Sequence, residues 1–260
     1  MVEIFQRAIL RLESVDSTNL EAMRQARAGA AEGLCIVARE QTQGRGRLDR
    51  VWESPRDAGL YFSIVLRPRF ELRTWPLLTL MAALAVHDAL LRACDLSTDI
   101  KWPNDICIGE RKLCGILAET VETDDGAAAI LGIGINLSAD NLPRMLSDAT
   151  SIESAKGTRP DRELVLHELI KAIGERYSFL QSHDGAEHTI REWYANSSYA
   201  MGRRVRVTLS NETFDGTTRG LESDGALRVE TDDGRTRIVR AGDVTAVRAA
   251  NSERGMMSDE

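Results

Sequence analysis

The chain is poor in the features that staple or anchor a protein. Its four cysteines, Cys35, Cys94, Cys107 and Cys114, include no CxxC pair and no histidine at metal-ligand spacing. That excludes a zinc-finger pattern and a disulfide framework, and favours a reducing compartment. Long apolar runs are missing. The longest, LLTLMAALAV at Leu77–Val86, is too short to span a bilayer and runs into His87 and Asp88. The N-terminal MVEIFQRAIL carries charges where a secretory signal needs an apolar centre. An excess of positive charge is also lacking: 40 acidic residues against 33 basic ones give a net charge of −7, which argues against general affinity for nucleic acid. There is no internal repeat and no low-complexity block. What remains is a 260-residue globular chain, 43% apolar, long enough for one large domain and a small one. The expectation is a cytoplasmic protein with neither a membrane nor DNA as partner.

Through the first two-thirds of the chain, strand-like and helix-like segments alternate. Ala8–Val15, Gly33–Glu40 and Gly59–Pro68 read as strands. The segment DSTNLEAMRQARAG reads as a helix with Thr18 as cap, because Thr18 and Glu21 have capping-box spacing. TWPLLTLMAALAVHDALLRAC reads as a buried helix of about five turns, opened by Pro76. Asp105–Gly109 and Arg111–Val121 read as a hairpin turning at Gly109-Glu110, followed by a strand over Ala127–Ser138. Asp140–Arg159 reads as loop, and helices are expected over Asp161–His183 and Ala186–Asn196. From Met201 the texture becomes short β-branched strands with turns at 210–211, 223–225 and 232–234, the spacing of a small all-β barrel.

Four segments concentrate residues that a plain core does not need. In EQTQGRGRLDRVW, Gly44 and Gly46 allow backbone N–H groups to converge on an anion, and Arg45 and Arg47 add charge-assisted donors. Neither a Walker A loop nor a GxGxxG fingerprint is present, and GRGR alone suits a solvated loop as well. In KWPNDICIGERKLCGIL, Pro103 forces Trp102 towards extended backbone, and Asn104 and Asp105 precede a strand. Lys112 opens the returning strand; periodicity alone reads it as a surface residue, with a phosphate ligand as the alternative. In DSTN, Thr18 suits a helix cap, while Ser17, Asn19 or the helix N-terminus suits a polar ligand head. In GIGIN, Gly132 and Gly134 within a strand mean close approach of either a ligand or a packed helix.

Taken in order, DSTN, GRGR followed by Trp52, KWPND, RKLCGIL and GIGIN closely resemble the biotin–protein ligases, also called biotin–acetyl-CoA-carboxylase ligases. The resemblance covers essentially the whole chain. It implies an α+β fold: a class II aminoacyl-tRNA-synthetase-like, biotin–lipoate-ligase catalytic domain over residues 1–199, with a mixed sheet flanked by helices. An SH3-like β-barrel over 200–249 and a disordered tail over 250–260 complete the expected organisation. The implied activity makes biotinyl-5′-adenylate from biotin and ATP with Mg2+, then passes biotin to one lysine of a biotin carrier protein. A lipoate–protein ligase and a non-catalytic biotinyl-adenylate-binding regulator are the alternatives, and a homodimer is consistent with the family. About 15 residues precede DSTN, so the short form without an N-terminal DNA-binding domain is expected.

By the same resemblance, Lys112, Arg47 and Arg45 carry catalysis. Ser17, Thr18, Asn19, Gln41, Arg45, Gly46, Arg47, Lys112, Gly115, Gly132 and Gly134 hold biotin. Arg47, Arg50, Trp52, Asn104, Lys112 and Asn136 hold ATP or the adenylate, with Trp52 against adenine, and Asp105 is the metal ligand. Both lid arginines are expected where carboxylate and triphosphate meet. One departure stands out: the family loop continues GRGRxGR, and this chain has Asp49 where a third glycine is expected.

Overall fold

The computed structural model describes residues 8–139 and 148–247. The expected tail lies outside these residues, as does the first part of the loop expected over 140–159.

Strands β1 (Ile9–Leu12) and β2 (Cys35–Ala38) pair in parallel across helix α1 (Thr18–Arg27). The further pairings between strands of this sheet are antiparallel. They join β3 (Gly59–Leu66), β4 (Asp99–Lys101), β5 (Asp105–Ile108), β6 (Arg111–Thr123) and β7 (Gly126–Asn136) into one mixed sheet ordered β1-β2-β3-β7-β6-β5-β4. The hairpin and the strand read from GERKLCGIL and GIGIN are therefore central strands.

Strand alternation divides the sheet into two faces. Leu131, Ile133 and Ile135 of β7 and Cys114 and Ile116 of β6 turn towards α2 (Leu77–Cys94) and α4 (Arg162–Leu180), in the main core. By length and composition α2 would pass for a membrane span, but 61% of it is buried inside the fold. The opposite face is half covered. Ala22 and Ala26 of α1 pack there on Ile36, Val65, Val121, Ala128 and Ile130. Beyond Ile130 the same face carries Gly132 and Gly134, with Gly115 of β6 beside Gly134 in register. Asn19, in the first turn of α1, still covers Gly132, and beyond it the half-face at Gly134 and Gly115 is the floor of a cavity.

After α5 (Gly185–Ala195), strands β8 (Met201–Thr208), β9 (Thr213–Leu221), β10 (Leu227–Thr231), β11 (Thr236–Val239) and β12 (Asp243–Ala246) form a second, antiparallel sheet, ordered β11-β10-β9-β8-β12. It docks through specific hydrogen bonds. Trp102 Nε1 donates to the Gly225 carbonyl at 3.0 Å, and Leu221 N–H donates to the Tyr194 hydroxyl at 2.6 Å. Val205, Val207 and Leu227 belong to the same buried core as α2.

Two expectations change. Within the stretch read as loop, Ile152–Lys156 forms a short helix, α3, with Ser151 accepting from Ser154 N–H and Gly157 closing it at φ 76°. With Ile152 its one buried residue, the helix leaves no apolar period to read. The capping box at Thr18 is also absent. Ser17 is the N-cap, Thr18 is already helical, and Glu21 bonds Arg24 and Gln25 instead of the helix start. The hydroxyl of Thr18 is thereby released for the cavity.

Candidate active site

The cavity over the glycine floor has a volume of about 530 Å³, within the range of small-molecule sites. Its two ends differ in chemistry.

One end is polar and neutral. Ser17, Thr18 and Asn19 at the head of α1 are nearly fully buried. Thr18 N–H donates to Gln41 Oε1 at 2.8 Å, and Gln41 Nε2 donates to the Ser54 hydroxyl at 2.7 Å, which fixes the orientation of the amide. Ser17 makes no capping bond with its side chain. The other end is charged. Lys112 Nζ lies 2.7 Å from Asp105 Oδ1 in an ion pair and 5.2 Å from the Trp52 ring centroid.

The segment Gln41–Trp52 roofs the cavity as a hairpin-like flap. Arg45 bridges Val51, Trp52 N–H donates to the Gly44 carbonyl at 2.9 Å, and Gly46 N–H to the Arg50 carbonyl at 2.7 Å. Gly44 is required by space: a Cβ there would meet the Trp52 carbonyl at 2.2 Å. At the tip, Leu48 and Asp49 both take left-handed backbone, φ 54° and 57°. Asp49 thus adopts the conformation for which a glycine is the easier residue, and the turn survives the substitution. Arg47 reaches down to Asn104 Oδ1 at 3.1 Å and to the Gly242 carbonyl at 3.3 Å. Burial lowers its pKa from the ordinary arginine value, partly offset by Asp243 and Asp105. It is a desolvated cation with no carboxylate bonded to it, an arrangement suited to an anionic ligand.

Three comparisons with known proteins bear on this geometry. The family model "Biotin/lipoate A/B protein ligase family" matches residues 12–136, and "Biotin protein ligase C terminal domain" matches residues 200–245. A bifunctional ligase/repressor BirA of Bacillus spizizenii is 36% identical over 92% of this chain and 74% of its own length. The chain belongs to the biotin/lipoate protein ligase family. A biotin–[acetyl-CoA-carboxylase] ligase of Mycobacterium tuberculosis is 32% identical over 89% of this chain and 86% of its own. Among solved structures, the Aquifex aeolicus biotin protein ligase in complex with biotin and ATP superposes with a TM-score of 0.79 at 31% identity, covering 94% of this chain and 100% of that one.

The residues singled out by motif come to one cavity: Ser17, Thr18, Asn19, Gln41, Arg45, Gly46, Arg47, Arg50, Trp52, Asn104, Asp105, Lys112, Gly115, Gly132, Gly134 and Asn136 all line it. Their partners are less uniform than the motifs imply. The two lid arginines are parted. Arg45 Nη2 pairs with Glu119 Oε1 at 3.0 Å, four strand positions along β6 from Gly115 and roughly 13 Å away at strand rise, whereas Arg47 goes to Asn104. Glu119, the anion that Arg45 meets, belongs to no motif. Arg50 pairs with Asp243 on the second sheet. Trp52 stands over the floor itself, its Nε1 2.5 Å from a Cβ built on Gly134 and its Cζ3 3.0 Å from one built on Gly115. Asn136 is tied to the Thr150 carbonyl at 3.0 Å.

Sequence reasoning missed Glu119, Ser63 and the Gly242-Asp243 corner. The first two had a signal. Glu119 follows Gly115 and Leu117 at strand period on the site face, and Ser63 is the one small polar side chain in the buried GLYFSIVL strand. Gly242 and Asp243 reach the lid only through the docking of the second sheet. The cysteines stay out of the chemistry: burial pushes the Cys107 thiol up to about 12 with Asp105 adding to it, and raises Cys114 as well. Both thiols stay protonated and poor nucleophiles at neutral pH.

Proposed function

We propose that this chain is an ATP-dependent biotin–protein ligase. The observation that carries the reading is the order of groups along one cavity: neutral donors and acceptors at the α1 head, a glycine floor, and then Lys112 with Arg47 under the Gln41–Trp52 flap. A compact ureido head, an apolar body and a carboxylate tail match that order. A carboxylate oxygen of biotin attacks the α-phosphorus of ATP, the bond to the β-phosphate breaks, and pyrophosphate leaves. Lys112 and Arg47 stabilise the negative charge that grows on the α-phosphoryl oxygens. The lysine amine of a carrier protein then attacks the acyl carbonyl and loses a proton, and AMP departs with the C–O bond electrons. The enzyme needs no nucleophile of its own; it positions the reactants and excludes water from the anhydride. For Trp52 to stack on adenine, its indole swings off Gly134 and Gly115 as biotin enters.

A magnesium ion on the triphosphate belongs to this proposal, with Asp105 as its protein ligand. The fit rests on Asp105, a hard carboxylate donor at the cavity wall whose Oδ1 already pairs with Lys112. Among the described residues no group of three or more His, Cys, Asp or Glu side chains is placed to cage a metal. A single carboxylate plus phosphate oxygens and water is what magnesium accepts. It would supply charge neutralisation of the triphosphate. The carrier domain of a biotin-dependent carboxylase as acceptor, a homodimer, and a cytoplasmic location are part of the same reading.

The test is ATP–pyrophosphate exchange with biotin and lipoate in parallel. Exchange that depends on biotin supports the assignment; exchange driven by lipoate alone overturns it.

A further inference from the structure

Beneath the motif residues runs a chain of polar contacts that ends on a charge. Asn19 Nδ2 donates to Glu119 Oε2 at 2.8 Å and to the Leu117 carbonyl at 3.2 Å. Both partners are pure acceptors, so the amide has one possible orientation, with Oδ1 pointing the other way. Oδ1 lies 2.6 Å from Ser63 Oγ, which is fully buried and lies 2.8 Å from Thr18 Oγ1. Thr18 Oγ1 in turn stands 3.1 Å from Gln41 Oε1.

Three contacts now link four oxygens, and only two hydroxyl hydrogens serve them. Oδ1 of Asn19 has no proton to give, so Ser63 donates to it across the shortest contact. Thr18 then has two acceptors, Ser63 Oγ at 2.8 Å and Gln41 Oε1 at 3.1 Å, and its proton goes to the nearer, since the Thr18 N–H already serves Gln41 Oε1. The result is a Thr18 hydroxyl whose proton is committed inward and whose lone pairs face the cavity. Arg45 completes the device from the lid by pairing with Glu119 and holding its charge in place.

We propose that Glu119 is a positioning residue for ligand selection: through Asn19 and Ser63 it fixes Thr18 Oγ1 as a hydrogen-bond acceptor that reads an N–H of the bound head group. Resting on the biotin reading above, this assigns recognition of a ureido N–H to a carboxylate that touches no ligand. Replacing Glu119 by glutamine frees the Asn19 amide to flip, because a glutamine can donate as well as accept. The hydroxyl chain then loses its fixed direction.

Calorimetric binding to the full chain tests this with three ligands: biotin and the two cyclic-carbamate analogues in which one or the other ureido N–H is replaced by oxygen. The wild type should prefer biotin over at least one analogue by ten-fold or more. Glu119→Gln and Ser63→Ala should each reduce that preference to within a few-fold, and the double variant should lose no more than either single one. A purely structural role would weaken all three ligands alike and leave the ratio unmoved. Undiminished selectivity in Glu119→Gln, additive losses, or a wild type indifferent to the N–H overturns the proposal alone. A wild type that binds no biotin removes the functional reading and this proposal with it.

Discussion

The indole nitrogen of Trp52 stands so close over Gly134 that a Cβ on that glycine would lie 2.5 Å from it, while a Cβ on Gly132, two residues earlier, would lie 2.0 Å from Asn19 Oδ1. The two glycines share a strand face but meet different neighbours. Trp52 rides on a flap, whereas Asn19 is locked by Glu119, Leu117 and Ser63. Gly134→Ala should therefore leave thermal unfolding nearly unchanged and weaken ligand binding ten-fold or more on the order of one lost close contact. Gly132→Ala should destabilise the fold by about 2 kcal/mol through overpacking, seen in denaturant unfolding.

At the charged end, Lys112→Ala and Arg47→Ala should each lower the rate of adenylate formation by roughly 10²–10³-fold, as expected for a lost transition-state charge partner. The fold should persist, because both side chains point into the cavity and their partners, Asp105 and Asn104, remain anchored on β5 and β6. Pyrophosphate exchange, read beside the thermal transition, separates the two effects. Near-wild-type exchange in either variant would remove the mechanism.

The lid tip offers a conformational test. Leu48 holds φ 54° without the local hydrogen-bonding side chain that lets Asp49 tolerate the same region. Leu48→Gly should ease the turn by about 1 kcal/mol. Hydrogen exchange at the Gly46 amide, which is bonded to the Arg50 carbonyl, should slow by roughly five-fold. Asp49→Gly should act in the same direction and more weakly.

Acid sensitivity should report on the α1 head. Asp16 is held below the ordinary aspartate range, chiefly by its hydrogen bonds from Arg24 and against some burial. Between its folded and unfolded values the unfolded chain binds more protons, so stability falls as pH drops through that window. The contribution is complete above the unfolded value. Asp16→Asn should be less stable than wild type near neutral pH, and the difference should shrink as the pH falls below the ordinary aspartate range. Urea unfolding across pH measures it; a constant difference at all pH values contradicts the assignment.

Much of this protein was written locally. Periodicity and turn residues located α2, the β5–β6 hairpin and the small β sheet, because those signals depend on neighbours a few residues apart. The motif order, from DSTN to GIGIN, identified the family and the residues that line one cavity. Local signals could not choose between the two readings of Lys112 or of Gly132 and Gly134. Those choices depended on which strands became neighbours: β7 lies between β3 and β6, so Gly115, Gly132 and Gly134 meet on one face at the N-terminal head of α1. Tertiary structure alone also separated Arg45 from Arg47, because the groups they meet, the Glu119 carboxylate and the Asn104 amide, lie at different places along β6. Sequence fixes which charges are present, and the distance over which each acts is set only when the sheet has formed.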